Sequence, residues 1–394
     1  MKIAISTSVI QRGKTGVAQY VFALIRALLP HAHEHEFHLL VLEEDLPLFD
    51  FVGDRMKIVT VAEKWRPAVR NIFWHQFILR QWLKEERIDV LHIPSYRRML
   101  WRAPCATVAT IHDLAPFHVK GKYDLARMLY GRILVKHLAR QQSSIIAVSQ
   151  NTAADVARFF GIAESNQRVI LNGVAHERFH PAKARSRGDK NFFLYVSRLE
   201  HPAKNHVRLI EAFSRFKEAT GSDWQLVLGG SDWHGAEHIH AAAAASPVAK
   251  DIRFLGFVPD ADLPDLYRTA SGFIYPSLFE GFGLPPIEAM ASGCPVISSA
   301  AGSLAEVIAE AAWVIDPEDI DSMHRALTQI ATCGTTRRRL IAAGLANARR
   351  FDWDENAQET LKVYEAAVLS PPLGGIVRQG WKEDASRVNL PAHV

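Results

Sequence analysis

A short apolar run, "KIAIS" (2–6), opens the chain and gives way to polar residues. Behind it, in "GKTGVAQYVFALIRALL", Val17, Tyr20, Val21, Leu24 and Leu28 recur at helical spacing. Strand, glycine loop, helix is the opening of a βαβ unit. Strand-length apolar runs follow at "FHLLVL" (37–42), "KIVTV" (57–61), "DVLHI" (89–93), "ATVATIHD" (106–113), "SIIAVS" (144–149) and "RVILNG" (168–173), several of them separated by helical stretches. This rhythm predicts a parallel sheet covered by helices.

The pattern breaks at "PAKARSRGDK" (181–190), which is polar, basic and nearly free of large apolar residues, and reads as a linker. It then restarts: strands at "NFFLYVS" (191–197), "WQLVLGG" (224–230), "IRFLGFV" (252–258), "GFIYPS" (272–277), "PVISS" (295–299) and "AAWVID" (311–316). Helices are predicted near 205–219, 235–245, 261–269 and 286–292. The segment beyond about residue 370 has no periodicity. The expected fold class is therefore α/β, with two Rossmann-like domains whose strand ends face a cleft between them. Ligands of open α/β sheets sit outside the carboxyl ends of strands, so the turns after strands are where chemistry is expected.

Length and composition agree with that division. A chain of 394 residues is long for one core, and 48% hydrophobic with 22% charged residues is globular composition. Cys105, Cys294 and Cys333 are far apart and odd in number, which excludes a disulfide framework or zinc spacing and predicts a cytoplasmic setting. Met1 leads directly into a strand, so no leader peptide is expected, and no apolar run reaches bilayer length. The net charge of +4 hides an asymmetry: residues 1–185 hold 26 Lys and Arg against 16 Asp and Glu, and the remainder 20 against 26. The first half is expected to meet something anionic.

The densest candidate for chemistry is "SLFEGFGLPPIEAMASGCPV" (277–296), just after a predicted strand. Pro285 and Pro286 suit a first helical turn, and the preceding "GFG" lets backbone N–H groups approach a ligand. Free N–H groups at a helix start make an anion site. Glu288, about one turn into that helix, can accept hydrogen bonds from a ribose diol, while Glu280 lies before the turn and serves another part of the ligand. The alternative is a plain strand-to-helix turn with two solvated glutamates.

This stretch resembles the signature of retaining nucleotide-sugar glycosyltransferases of family 4, which have the GT-B fold of two facing Rossmann-like domains. It is close to their bacterial mannosyltransferase-like members. The resemblance implies that Glu288 binds the donor ribose, that Glu280 contacts the donor sugar, and that the backbone of Phe282, Gly283 and Leu284 faces sugar and diphosphate. It covers roughly residues 1–365. It implies an acceptor-side domain over 1–182, a donor-binding domain over 183–350, a closing helix over 351–370 returning to the first domain, and a tail over 371–394.

Other pieces fit the same pattern. In "YVSRLEHPAKNHVRLIEAF" (195–213), Arg198 ends a strand and Lys204 opens a helix, so two cations around one loop can converge on a diphosphate. Alone they read as surface decoration; the resemblance assigns both to the diphosphate. In "ATIHDLAPF" (109–117) the His-Asp pair reads as a base dyad, a metal fragment or a structured turn, and the resemblance places His112 at the donor sugar, as a catalytic residue with Glu280, Arg198 and Lys204. Gly13 and Gly16 follow the first strand without completing a dinucleotide fingerprint or a P-loop, and Gly16 matches the family's phosphate loop. Phe257 and Val258 match the region beside the nucleotide base.

The expected reaction is transfer of a sugar, mannose favoured, from a nucleoside-diphosphate sugar to a glycan or lipid-linked acceptor, with retention of configuration, in surface polysaccharide or glycoconjugate synthesis. Arg198, Lys204 and the helix start would stabilise charge on the leaving diphosphate. No Asp-x-Asp pair stands in a cation-binding context, so neither metal nor cofactor is expected. UDP-sugar transfer, an epimerase, a lysine-linked pyridoxal phosphorylase and a non-catalytic sensor are the alternatives. Between Lys120 and Arg140 six basic residues face one acid, beside Leu125, Leu129 and Ile133 at spacing four. Such a helix suits the anionic inner face of a membrane, and "RRMLWR" (97–102) and "WRPAVRNIFWHQF" (65–77) point the same way; the bland reading is a solvated basic face. No nucleic-acid-binding module is recognisable.

Overall fold

The computed structural model describes residues 1–13, 15–118, 134–181 and 191–369. Nearly all of the expected linker, the tail, and residues 120–133 of the basic Lys120–Arg140 segment lie outside these. The described residues form two compact units. One takes residues 1–114, 134–171 and Trp353–Leu369; the other takes 115–118 and Asn172–Asp352.

The first unit is a seven-stranded sheet of β1 (Lys2–Ser6), β2 (Glu36–Leu42), β3 (Lys57–Val61), β4 (Val90–Ile93), β5 (Ala106–Ile111), β6 (Ser144–Ala147) and β7 (Gln167–Val169). All pairings are parallel, in the order β3-β2-β1-β4-β5-β6-β7. Successive strand residues face opposite ways. Ile3, Ile5, Phe37, Leu39 and Val41 pack with the helices Gly16–Leu28 and Trp353–Leu369 on one face. Ala4, Leu40, Leu42 and Leu91 pack with Trp74, Leu79 and Leu83 on the other. Burial on both faces is why these strands read as unbroken apolar runs. The C-terminal helix is tied in by Tyr364, whose hydroxyl lies 2.7 Å from His92 Nδ1 on β4.

The second unit holds β8 (Phe192–Val196), β9 (Gln225–Gly229), β10 (Ile252–Gly256), β11 (Gly272–Tyr275), β12 (Val296–Ser299) and β13 (Trp313–Ile315), all parallel in the order β10-β9-β8-β11-β12-β13. Strand order reverses direction between β8 and β11, and such a switch point opens a crevice at the strand ends. The helices are His206–Thr220, Ala236–Ala245, Leu263–Thr269, Leu284–Ala291 and the short Leu304–Ile308, followed by Ile320–Thr332 and Gly334–Ala348.

Two boundaries differ from the sequence reading. The first domain was expected to run to 182, but the division falls between Leu171 and Asn172. Val174 N donates to Phe351 O at 3.2 Å and His176 Nε2 lies 3.1 Å from the same carbonyl, which ties this stretch to the second unit. The helix expected near 286 starts two residues earlier, at Leu284, with Pro285 and Pro286 in its first turn as expected.

Candidate active site

The loops leaving β8 and β9 are zipped together beyond the strand ends. Ser197 N donates to Gly229 O at 2.9 Å, Leu199 N to Ser231 O at 2.9 Å, Trp233 N to Leu199 O at 3.1 Å and His201 N to His234 O at 3.0 Å. Gly230 permits this approach: its φ is +148°, and a Cβ there would stand 1.8 Å from Ser197 O. The ladder fixes Arg198 over Trp233, guanidinium carbon to ring centre 4.8 Å. Arg198 Nη2 also lies 3.4 Å from Glu200 Oε2, a buried carboxylate, while the arginine keeps 38% of its side chain exposed.

Lys204 is held differently. Tyr195, near the end of β8, donates its hydroxyl to Lys204 O at 2.7 Å. Asn205 next door adopts a left-handed φ of 61° and donates through Nδ2 to Pro276 O at 3.1 Å and Pro317 O at 2.6 Å. The loop after β8 is thus bolted to the loop after β11, across the switch point. Lys204 Nζ lies 2.5 Å from Glu280 Oε1, each side chain 14% exposed. Burial pulls the Lys204 ammonium down, but the Glu280 carboxylate outweighs it and holds the pKa above its ordinary value. Tyr275, at the end of β11, is buried and hydrogen-bonded to the same carboxylate, and both effects push its pKa up.

Glu280 is positioned through its backbone. It bridges Gly302, and Ser303 N donates to Glu280 O at 2.9 Å. A Cβ on Gly302 would meet that oxygen at 2.5 Å. Three residues on, Gly283 caps the helix Leu284–Ala291 at φ +104°, where a Cβ would stand 2.6 Å from Leu304 Cδ2. Pro285 and Pro286 have no N–H, so the donors at this helix start are the amides of Gly283 and Leu284. Phe282 turns its ring inward, edge-on to Phe351 at 5.8 Å, which leaves only its backbone to face a ligand.

Glu288 follows one turn into the helix, half-buried. Tyr267 donates its hydroxyl to Glu288 Oε2 at 3.0 Å. Burial pushes the Glu288 carboxyl up to about 7; the Tyr267 hydrogen bond opposes this, and the Asp260 carboxylate adds to it. Asp260 is itself paired with Arg178 at 2.8 Å. Phe257 is exposed just past β10, and Val258 Cγ2 sits 2.9 Å from where a Gly229 Cβ would be. Arg198, Lys204, Phe257, Val258, Glu280, Phe282 and Gly283 therefore lie on turns that follow strands of the second sheet, and Leu284 and Glu288 on the helix that one of those turns leads into.

Gly16 and His112 lie in the first unit. Gly16 is the first residue of its helix, and a Cβ there would meet nothing within 4 Å, so packing does not demand glycine. His112 follows β5 with its ring edge-on to Tyr20 at 4.6 Å. Its Nε2 lies 3.1 Å from Pro94 O, and a carbonyl can only accept, so the ring proton is on Nε2. Burial lowers its pKa to about 4, so the ring is neutral at pH 7.

Sequence reasoning missed Tyr267, Tyr275, Trp233 and Glu200. Only Glu200 carried a local signal, an acid two positions from Arg198; the others act across the tertiary fold. Among the described residues, no group of three or more His, Cys, Asp and Glu side chains could hold a metal ion.

Comparison with known proteins places both halves. Residues 14–178 match the model described as Glycosyltransferase Family 4, and residues 176–346 match Glycosyl transferases group 1. An O-antigen chain mannosyltransferase B of Escherichia coli is 28% identical over 93% of this chain and all of its own length. The O-antigen chain mannosyltransferase RfbU of Salmonella typhimurium is 30% identical over 68% of this chain and 72% of its own. Among solved structures, a sucrose-phosphate synthase of Thermosynechococcus elongatus superposes with a TM-score of 0.76 at 19% identity, covering 93% of this chain and 98% of its own.

Proposed function

The chain belongs to the family 4 and group 1 glycosyltransferases, enzymes of the GT-B fold, and from that premise we propose that it transfers mannose from GDP-mannose to a glycan or lipid-linked acceptor with retention of configuration. The observation that carries this reading is the Lys204–Glu280 pair beside the helix start at Leu284, with Glu288 one turn further on. In this reading Glu288 accepts from the ribose hydroxyls, and the amides of Gly283 and Leu284 meet the diphosphate. Arg198 supplies a fork and Lys204 a point charge to the phosphate oxygens.

Breaking the sugar–phosphate bond adds negative charge to the leaving diphosphate, and fixed donors lower the barrier by meeting that charge as it develops. Glu280 positions sugar hydroxyls. The leaving phosphate oxygen takes the acceptor proton, and the acceptor attacks from the leaving-group face. Gly16 and His112 are assigned to binding; a neutral imidazole whose Nε2 proton is committed to Pro94 O is a poor proton donor. The same reading has the enzyme working without a metal ion. The mannose assignment is supported by the O-antigen mannosyltransferase relatives.

The test is thermal denaturation with GDP, UDP or ADP, followed by an assay for GDP release from GDP-mannose with and without EDTA. A GDP-selective rise and EDTA-insensitive turnover are expected, because a ligand selective for the native state stabilises it. A UDP-selective rise would overturn the donor; no rise with any nucleotide would overturn the site.

A further inference from the structure

The helical segment from Ala68 to Glu85 shows one apolar face too many. Its inner face is already spent: Trp74, Leu79 and Leu83 are buried against the first sheet. Yet Val69, Phe73 and Phe77 repeat at spacing four on the outside, 81%, 50% and 62% exposed, with Ile78 beside them. The rings form a continuous ridge: Trp65 stacks on Phe73 at 6.3 Å, and Phe73 packs on Phe77 at 4.7 Å. A neighbouring loop extends it. Gln76 donates to Met99 O at 2.9 Å and accepts from Trp101 N at 2.9 Å, which sets the exposed Trp101 indole beside the helix. A contiguous exposed patch of this kind marks a contact surface, whereas single exposed apolar residues do not.

Its rim identifies the partner. From Lys64 to Lys84 the sequence has five cations and no acid, and 95–102 has three arginines and no acid. Lys64, Arg70, Arg80, Lys84 and Arg102 are exposed. Arg102 lies over the Trp101 ring at 5.2 Å. Among the described residues, no helix is long and apolar enough to cross a membrane. A helix with aromatic rings on its outer face and a border in which cations outnumber acids matches a surface that is apolar a few ångströms down and negative on top.

We propose that this ridge, Val69, Phe73 and Phe77 with Trp101, is the face by which the protein docks on an anionic lipid bilayer. The docked state places the rings at the headgroup boundary and the cations among the headgroups. It deepens the proposed function, since a lipid-linked acceptor is presented at a bilayer, and rests on that reading only for its purpose. The ridge lies within 65–77 and 97–102, the two aromatic and basic stretches that the sequence sets beside the amphipathic Lys120–Arg140 segment.

The test is co-sedimentation of the full chain with vesicles containing phosphatidylglycerol, or phosphatidylcholine alone, for the native protein and for Phe73→Ser/Phe77→Ser and Arg70→Gln/Arg102→Gln. All four positions are exposed and outside the donor site, so both variants are expected to keep the native melting temperature and its rise with nucleotide. Native protein is expected to bind the anionic vesicles and to be released by salt. Each double variant is expected to bind about tenfold more weakly. Anionic binding that survives Phe73→Ser/Phe77→Ser would overturn the proposal, because the docking face then lies elsewhere. So would no binding by native protein that still responds to nucleotide, a result that leaves the donor site intact. Concentration-dependent dimerisation abolished by Phe73→Ser/Phe77→Ser, without vesicle binding, would assign the ridge to a second copy of the chain instead.

Discussion

Glu288 makes the folded chain less stable, and Glu288→Gln measures by how much. Its carboxyl ionises near 7 in the fold against 4.5 for an ordinary glutamate, chiefly because burial disfavours the charged form. A folded-state value above the unfolded one means that the native state holds this proton more tightly. Native stability is then highest below about pH 4.5, falls as pH rises toward 7, and carries the full penalty above 7. The size of the penalty is about 3 kcal/mol at pH 8. The glutamine side chain cannot ionise and keeps the geometry of an acceptor for the Tyr267 hydroxyl. Relative to native protein, the variant should therefore gain stability with pH, by about 6–12 °C in melting temperature between pH 5 and pH 8 for a unit of this size. Other titrating groups are common to both proteins and cancel in the difference. Scanning calorimetry of the two proteins at several pH values is the assay. The ribose hydroxyls lose a charged acceptor at the same time, so nucleotide affinity at pH 8 should fall about 10–100-fold. A stability difference that does not change with pH would refute the reasoning, because it would mean that Glu288 is well solvated.

Lys204→Ala should lower kcat by about 100-fold or more with a smaller effect on KM, and should destabilise the fold by about 3–5 kcal/mol by leaving Glu280 buried and unpaired. Lys204→Ala/Glu280→Gln should recover most of that stability in a denaturant titration and none of the activity; if stability stays low, Lys204 is chiefly structural. Trp233→Ala should slow transfer about 5–20-fold by releasing the Arg198 guanidinium, with Trp233→Phe recovering most of the rate. Equal losses in both variants would show that the ring face is irrelevant.

The parts of this fold legible in the sequence are those where residue type answers to local geometry. The central strands of both sheets are buried on two faces, so they stand out as apolar runs at nearly their true positions. Pro285 and Pro286 announce a helix start, and Gly283 announces the turn before it. Glu280, Glu288, Arg198 and Lys204 could be picked out because they sit within a few residues of such punctuation. Tyr267 could not: it lies inside an ordinary amphipathic helix 21 positions before Glu288, and only the packing of that helix brings its hydroxyl to the carboxylate. Trp233 was hidden for the same reason, since its place over Arg198 depends on the ladder between two loops. The division in contacts at Leu171–Asn172 was not legible because the polar stretch after 181 is conspicuous, whereas the bonds from Val174 and His176 to Phe351 span more than 170 residues of sequence.

The two glutamates of one turn end with opposite electrostatics, and that difference has a physical origin. Glu280 sits against the Lys204 ammonium, and its carboxylate keeps that lysine charged although it is buried. Burial pushes the Glu288 carboxyl up until it ionises only near neutrality; its hydrogen bond from the Tyr267 phenol opposes that shift, and a second carboxylate, Asp260, adds to it. Divergent environments for nearby carboxylates are what separate their roles. Arg198 likewise comes with its own acid, Glu200. Each cation is therefore locally balanced, and the loop is not a bare positive patch that would attract any anion equally. Preference for a diphosphate must come from direction: two amides at a helix start, a fork fixed by a tryptophan face, and a lysine fixed by a carboxylate. Fixed donors cost little reorganisation when charge develops on a leaving group, which is the condition for lowering a barrier rather than merely binding a ground state.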